Sequence, residues 1–245
     1  MYTTIKQAVK TVVTKQALFK YEPFFRFLLY QLYKGTTYQC VVCAKKSQRF
    51  IALGDDKLCA YCGSLARDRR LWSIISGQFI KAGTSILDFS PSRSLYRILK
   101  QNTTITYAST DLSGDFISDF QYDITQIDEG NERYDLILCY HILEHIEQDM
   151  VAMQELYRVL KKGGSCIVQT PFKEGDIYEN YSIKTEKARL LHFGQEDHVR
   201  IYSVNGLVSR LTQCGFNVEL REYTEAADNY FGFKPNEKVL ICMKE

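Results

Sequence analysis

His141, Glu144 and His145 fall within five residues, directly after the apolar run from Tyr134 to Tyr140. An imidazole that titrates near neutrality can take a proton from a hydroxyl or an amine, and a neighbouring carboxylate can orient it. The plain alternative is a strand end followed by a capped turn. The second cluster is Cys40-Val-Val-Cys43 and Cys59-Ala-Tyr-Cys62, two CxxC pairs with 15 residues between them. Each CxxC turn puts two sulfurs on one side of a tight loop. Two such turns at this separation are the pattern of a four-cysteine zinc ribbon, and four thiolates close the coordination sphere, so such a metal is structural. Redox disulfides or an iron–sulfur cluster are the other readings. Cys139, Cys166, Cys214 and Cys242 stand singly in apolar surroundings and read as core residues.

The remaining histidines, His192 and His198, share a polar stretch at 172–203 with Arg200. Arg67, Arg69, Arg70 and Arg200 could meet an anionic substrate, although arginines on a helix face are usually solvated.

Something must hold these groups in place, and the pattern of the chain says what. From Ser85 the sequence alternates strand and helix: strands over 85–89, 105–109, 134–140, 165–169, 216–223 and 239–243, with a short element ending near Tyr122-Asp123. Helices are predicted over 93–101, 148–160 (stopped by Gly163-Gly164) and 204–214. This alternation predicts a doubly wound, mainly parallel α/β sheet. The run 134–140 is nearly all apolar, as a strand covered on both faces must be. In open sheets of this kind ligands sit outside the carboxyl ends of the strands, where His141, Glu144 and His145 emerge.

The chain divides into an amphipathic helical segment (1–36), the ribbon (37–66) and the α/β domain (67–245). Apolar side chains recur at helical spacing over 1–34, with a predicted break at Pro23 and with the apolar face packed on the protein itself; a peripheral membrane contact is the alternative. Ser64 is the expected cap of a helix that includes Trp72. Residues 1–70 carry 13 Lys/Arg against 4 Asp/Glu, while the rest carries 18 against 25. A basic front end can meet an anionic partner or dock on the acidic domain behind it. The chain has no run of 18 apolar residues and no signal-peptide pattern, so a cytoplasmic protein is expected.

The order of these features resembles the class I S-adenosylmethionine-dependent methyltransferases (type 11-like), in a form with an N-terminal zinc ribbon. The residues that carry the resemblance are Ile86-Leu-Asp-Phe-Ser-Pro91, Asp111, Asp123-Ile124, Tyr134-Asp-Leu-Ile-Leu-Cys-Tyr-His-Ile-Leu-Glu-His145 and Leu160-Lys-Lys-Gly-Gly164. Cys62-Gly-Ser-Leu-Ala-Arg67 and Phe193-Gly-Gln-Glu-Asp-His-Val-Arg-Ile-Tyr202 resemble segments of the ribbon-bearing subgroup. The resemblance implies a Rossmann-like seven-stranded sheet with S-adenosylmethionine as cofactor. It implies cofactor contacts from Asp88, Ser90, Ser92, Asp111, Leu112, Asp123, Ile124 and Tyr140. Asp111 would accept from the ribose hydroxyls, and Asp123 and Ile124 would lie beside the adenine. The first loop, Asp88 to Ser94, lacks the glycines that a pyrophosphate needs for close backbone approach, and Pro91 has no N–H to donate. That speaks against NAD or FAD, and is compatible with a cofactor that carries no phosphate.

The expected reaction is methyl transfer to a hydroxyl or amine of a small molecule or glycan precursor. His141 or His145 would serve as base with Glu144 orienting it, and His192, His198 and Arg200 would contact substrate. His141-x-x-Glu144-His145 also resembles the Glu-x-x-Glu-His run by which some methyltransferases of small RNA ends and of quinone precursors hold a divalent metal, with His192 or His198 completing the set. Two other functions compete. One is an RNA methyltransferase whose basic ribbon holds nucleic acid, although the front end lacks exposed-looking aromatics interleaved with basic residues on one strand, as base stacking requires. The other is a non-catalytic binding protein that kept the fold.

Overall fold

The computed structural model describes residues 15–224 and 228–245. The helical expectation for residues 1–14 lies outside the described residues. The described residues begin with helix α1 (Lys15–Gln31) and continue through four short strands, β1 (Lys34–Gln39), β2 (Lys46–Ser47), β3 (Ile51–Leu53) and β4 (Asp56–Leu58). Helix α2 (Ala66–Gln78) leads into β5 (Ser85–Phe89), α3 (Arg93–Gln101), β6 (Thr106–Thr110) and β7 (Tyr134–Tyr140). A single 3-10 turn (Leu143–His145) precedes α4 (Asp149–Val159) and β8 (Leu160–Gln169). Then come β9 (Tyr178–Glu179), α5 (Glu186–Phe193), β10 (Arg200–Ile201), α6 (Val204–Gln213), β11 (Asn217–Tyr223) and β12 (Glu237–Met243).

The central sheet has the order β11-β12-β8-β7-β5-β6. β6, β5, β7 and β8 run parallel, whereas β12 is antiparallel to both β8 and β11. Alternate side chains of each strand face opposite cores, as a period of two requires. Leu87, Ile137, Cys139, Cys166, Val168, Leu240 and Cys242 pack with α4 and α6 on one face. Ile86, Leu136, Leu138, Ile167, Val239 and Ile241 pack with α2 and α3 on the other. Burial on both faces explains the unbroken apolar run of β7. Three of the four isolated cysteines are thus core residues, and Cys214 is half-buried beside the first core.

The sheet has six strands where the sequence predicted seven. The missing strand is the short element before Asp123. Residues 118–122 do run alongside β6, but through a single parallel bridge, Thr110 to Phe120. Ser109 and Asp119 exchange side-chain hydrogen bonds there, which substitutes for a continuing ladder.

Other expectations are corrected. α1 runs through Pro23 without a break. The carbonyl of Phe19, deprived of its helical N–H donor by the proline, accepts from Arg97 Nη2 at 2.8 Å instead. The apolar face of α1 is not packed on the protein along its second half: Phe24, Phe25, Phe27 and Leu28 are exposed, as is Leu32 just beyond the helix. The cap of α2 is formed by Asp68, whose carboxylate accepts from Leu65 N, because the Ser64 hydroxyl is held between two cysteine sulfurs. α4 ends at Val159 and passes straight into β8, so Gly163-Gly164 sit inside a strand and do not stop the helix. Gly163 adopts a left-handed φ of 74° there, within the bulge where the β7–β8 register shifts.

Candidate functional site

β1, β2 and the β3–β4 hairpin bring Cys40, Cys43, Cys59 and Cys62 into one cluster. Cys40 Sγ and Cys62 Sγ are 3.7 Å apart, and Cys43 Sγ and Cys59 Sγ 3.8 Å. A disulfide needs about 2.05 Å. Four thiolates at about 2.3 Å from a central ion are about 3.8 Å apart at the corners of a tetrahedron. The four sulfurs are therefore spaced for a shared ion and not for pairing with each other. Ser64 Oγ lies 3.2 Å from both Cys40 Sγ and Cys62 Sγ.

Arg69 ties this unit to the α/β domain. Fully buried, it donates to the carbonyls of Lys57 and Ser64 on the ribbon side and of Phe231 and Gly232 beyond. Its guanidinium stacks 4.1 Å over Phe50. Arg70 is buried between Tyr223 and Phe233. Neither arginine is available to a substrate.

The carboxyl ends of β5, β6 and β7 gather most of the other expected residues. Asp88 is buried at the end of β5 and accepts from Tyr107 Oη at 2.9 Å. Burial pushes its carboxyl up to about 7, against the lowering effect of that hydrogen bond. Ser90 holds a left-handed φ of 48° without being glycine, a conformation that costs about 1 kcal/mol or more in an L-residue. Its hydroxyl donates to Asp111 Oδ1 at 2.7 Å, so the first loop and the tip of β6 meet as the sequence suggested. Asp111 is only 4% exposed. Its Oδ2 accepts from Ser113 Oγ and Phe116 N. Leu112 beside it is exposed. Ser92 caps α3, accepting from Leu95 N. Tyr140 turns its hydroxyl to Glu237 Oε1 at 3.4 Å.

Asp123 follows the segment that lies alongside the tip of β6, where Tyr122 N donates to Thr110 Oγ1. Both oxygen-bonding partners of Asp123 Oδ1 come from Thr125, its backbone N–H and its hydroxyl, which is a local turn. Ile124 is buried in the main core.

At the tip of β7 the chain turns sharply. His141 has φ 59°, and its N–H donates to the Gln169 carbonyl at 2.8 Å. Its Nδ1 lies 3.2 Å from Glu144 Oε1. Glu144 is 1% exposed, and its Oε2 has no hydrogen-bond partner among the described residues. Burial pushes its carboxyl up, but the His141 hydrogen bond and the charges of His141 and His145 outweigh this and leave its pKa lowered. His145 Nδ1 is 3.2 Å from Asp197 Oδ2, and its ring meets that of His198 edge-on at 4.7 Å. Burial, and then the neighbouring charge of His145, lower the pKa of His198.

Of the residues expected to contact substrate, only His198 joins this cluster. His192 is exposed and pairs with Tyr178 Oη through Nδ1 at 2.8 Å. Arg200 is 0% exposed. It donates to Glu179 at 2.9 Å, to Glu147 O at 2.8 Å, and to the carbonyls of Leu143 and Ile146. Its place is underneath the turn that carries His145. Asp149, Glu179, Tyr202 and Arg210 extend the same network. No local pattern marks them, since the pairs span up to 61 positions. Asp197 could have been found: it immediately precedes His198.

Comparison with known proteins agrees with this architecture. No curated protein sequence matches the chain. Among solved structures, the cyclase SpnF superposes with a TM-score of 0.53 at 15% identity, covering 71% of this chain and 80% of that one. A complex of the Haloferax volcanii Trm112 methyltransferase activator with its methyltransferase contains a chain that superposes at 0.52 and 12% identity, covering 71% of this chain and 90% of that one. An S-adenosylmethionine-dependent methyltransferase from Archaeoglobus fulgidus gives 0.51 and 16%, covering 73% and 92%. These similarities establish the fold; that one neighbour is a cyclase shows that fold alone does not set the reaction. The sequence profile of a family described as a methyltransferase domain matches residues 64–220, well over half of the chain. The protein therefore belongs to the methyltransferase-domain family and shares the fold of these structures.

Proposed function

We propose that the protein transfers a methyl group from S-adenosylmethionine to a hydroxyl or amine of a small molecule or glycan precursor. One arrangement carries this reading: Ser90 and Asp111 meet at the tips of β5 and β6, next to the strand tip that bears the His141–Glu144 pair. The Asp111 carboxylate fits a ribose. Its present donors include two serine hydroxyls, Ser90 and Ser113, which can rotate aside for the two hydroxyls of a sugar. Leu112, exposed beside it, supplies an apolar face for a base.

S-adenosylmethionine held there would supply a sulfonium methyl for transfer to the acceptor oxygen or nitrogen, with S-adenosylhomocysteine as the leaving group. His141 removes the acceptor proton through Nε2, because its Nδ1 is directed at Glu144. Glu144 fixes the ring and stabilises the imidazolium, as the third member of a nucleophile–base–carboxylate array does. We assign zinc to the four cysteines, whose sulfur spacing and all-thiolate character suit it.

Titration calorimetry with S-adenosylmethionine tests the reading. Binding by the full-length protein, lost in Asp111→Ala and kept in His141→Ala, is expected. Wild-type protein that binds no cofactor would leave only the non-catalytic scaffold.

A further inference from the structure

The mechanism above uses one oxygen of Glu144 and leaves the other without a role. Ligand atoms of Glu144, His145 and His198 all lie within 4.8 Å of one another. We infer that Glu144 Oε2 and one ring nitrogen each of His145 and His198 form a site for a divalent first-row transition ion, whose open positions take the oxygen of a hydroxyl-bearing acceptor.

Four observations support the site. Glu144 Oε2 is buried and has no hydrogen-bond partner among the described residues, and an unpaired buried carboxylate oxygen is costly unless something cationic meets it. The other oxygen is already committed to His141, so His141 orients Glu144 and is not a ligand itself. Asp197 claims His145 Nδ1 at 3.2 Å, which leaves Nε2 for an ion; a carboxylate behind a ligating histidine is the usual way its ring is oriented. The two ligand segments are also locked together, since Val199 N donates to Glu144 O at 2.9 Å while Arg200 holds the carbonyls of Leu143, Ile146 and Glu147.

Nitrogen and oxygen donors stand about 2.0–2.2 Å from such an ion, so pairs of them are about 3–4.4 Å apart, within small side-chain rotations of the spacing observed. Two imidazoles and one carboxylate suit first-row transition ions, and three protein ligands leave positions open for substrate. His145 is half-buried and reachable from solvent, whereas His198 is buried. An acceptor hydroxyl bound to the ion loses its proton more readily, and His141, tied to the site through Glu144 Oε1, is the neighbouring base. This role for the ion rests on the methyl-transfer reading; the binding of the ion does not.

Manganese(II) is the probe of choice, because four thiolates are poor ligands for it. Full-length, zinc-saturated protein is titrated with Mn²⁺ and followed by electron paramagnetic resonance, in parallel with calorimetry for S-adenosylmethionine. One Mn²⁺ site per chain is expected, weakened at least tenfold in Glu144→Gln and in His198→Asn. Should His198→Asn fail to fold, His145→Gln at the more accessible position gives the same comparison. Wild-type protein that binds Mn²⁺ no more tightly than Glu144→Gln overturns the inference. If cofactor binding persists in that case, the methyl-transfer reading stands without the metal; a Mn²⁺ site in a protein that binds no cofactor supports the site and removes the reaction.

Discussion

Arg97 donates to the carbonyl of Phe19 at 2.8 Å, the acceptor that Pro23 leaves without its helical partner. The same guanidinium stacks 4.1 Å over the Phe19 ring and pairs with Glu22 at 2.8 Å. A proline that ends most helices is accommodated here because a neighbouring helix supplies the missing donor. Arg97→Ala should cost about 1.5–3 kcal/mol, the range for hydrogen bonds to a charged group. In a Pro23→Ala background the helix regains its own N–H donor, and the same substitution should cost less. A double-mutant cycle by chemical denaturation measures the difference; equal costs in both backgrounds would remove the link between the proline and the arginine.

The cysteine cluster makes a second prediction, which concerns residues far from the metal. Arg69 spans from Lys57 and Ser64 to Phe231 and Gly232. Chelation of the ion, or Cys59→Ser, should therefore raise hydrogen exchange at 228–233 as well as at 40–62. One equivalent of zinc should be lost by elemental analysis. Exchange confined to the ribbon would mean that Arg69 holds the two parts together without the metal.

The sheet and the four-cysteine cluster were legible in the sequence because both rest on local pattern. The apolar run 134–140 and the strand–helix alternation mark the strands, and two CxxC turns mark the cysteines that gather. The site was legible only in part. His141, Glu144 and His145 are neighbours in sequence, and their strand leads to them directly. His198 could be named as a candidate but not preferred over His192, because the choice depends on how 172–203 folds back. Arg200 was misassigned for the same reason: a lone arginine in a polar stretch gives no sign of whether it is solvated or buried among carbonyls. Pro23 misled because the donor that rescues Phe19 lies 78 positions away.

Arg200 should matter to catalysis without touching substrate. It is buried, and it bonds the carbonyls of the turn that leads from Glu144 to Asp149. Arg200→Ala removes one partner from buried ion pairs with Glu179 and Asp149, a change that costs on the order of 3 kcal/mol. Arg200→Lys keeps the charge but not the fork of donors. For Arg200→Lys, the affinity for S-adenosylmethionine should stay at the wild-type value while kcat falls and the pH profile shifts, since the His141–Glu144–His145 geometry is disturbed. A change in cofactor affinity alone would contradict this positioning role.

Asp88 gives a pH dependence with a definite sign. Its carboxyl is raised from the ordinary 3.8 to about 7, chiefly by burial, with the Tyr107 hydrogen bond acting in the other direction. Between these two values the folded protein holds a proton that the unfolded chain has released. Stability from this group is therefore complete below about pH 4 and is lost as pH rises toward 7. Glu237, raised to about 7 by burial, acts in the same direction. Glu144 and His198 have lowered pKa values, and their contributions are lost as the pH falls: that of Glu144 on acidification through its folded-state value, that of His198 below the ordinary histidine range. Asp88→Asn keeps the shape and an acceptor for Tyr107 Oη but cannot ionise. It should match wild type below about pH 4 and exceed it in denaturant midpoint at pH 8. A variant no more stable than wild type at pH 8 would show that the carboxylate is accommodated in its charged form, and that burial at the end of β5 is less severe than its surroundings imply.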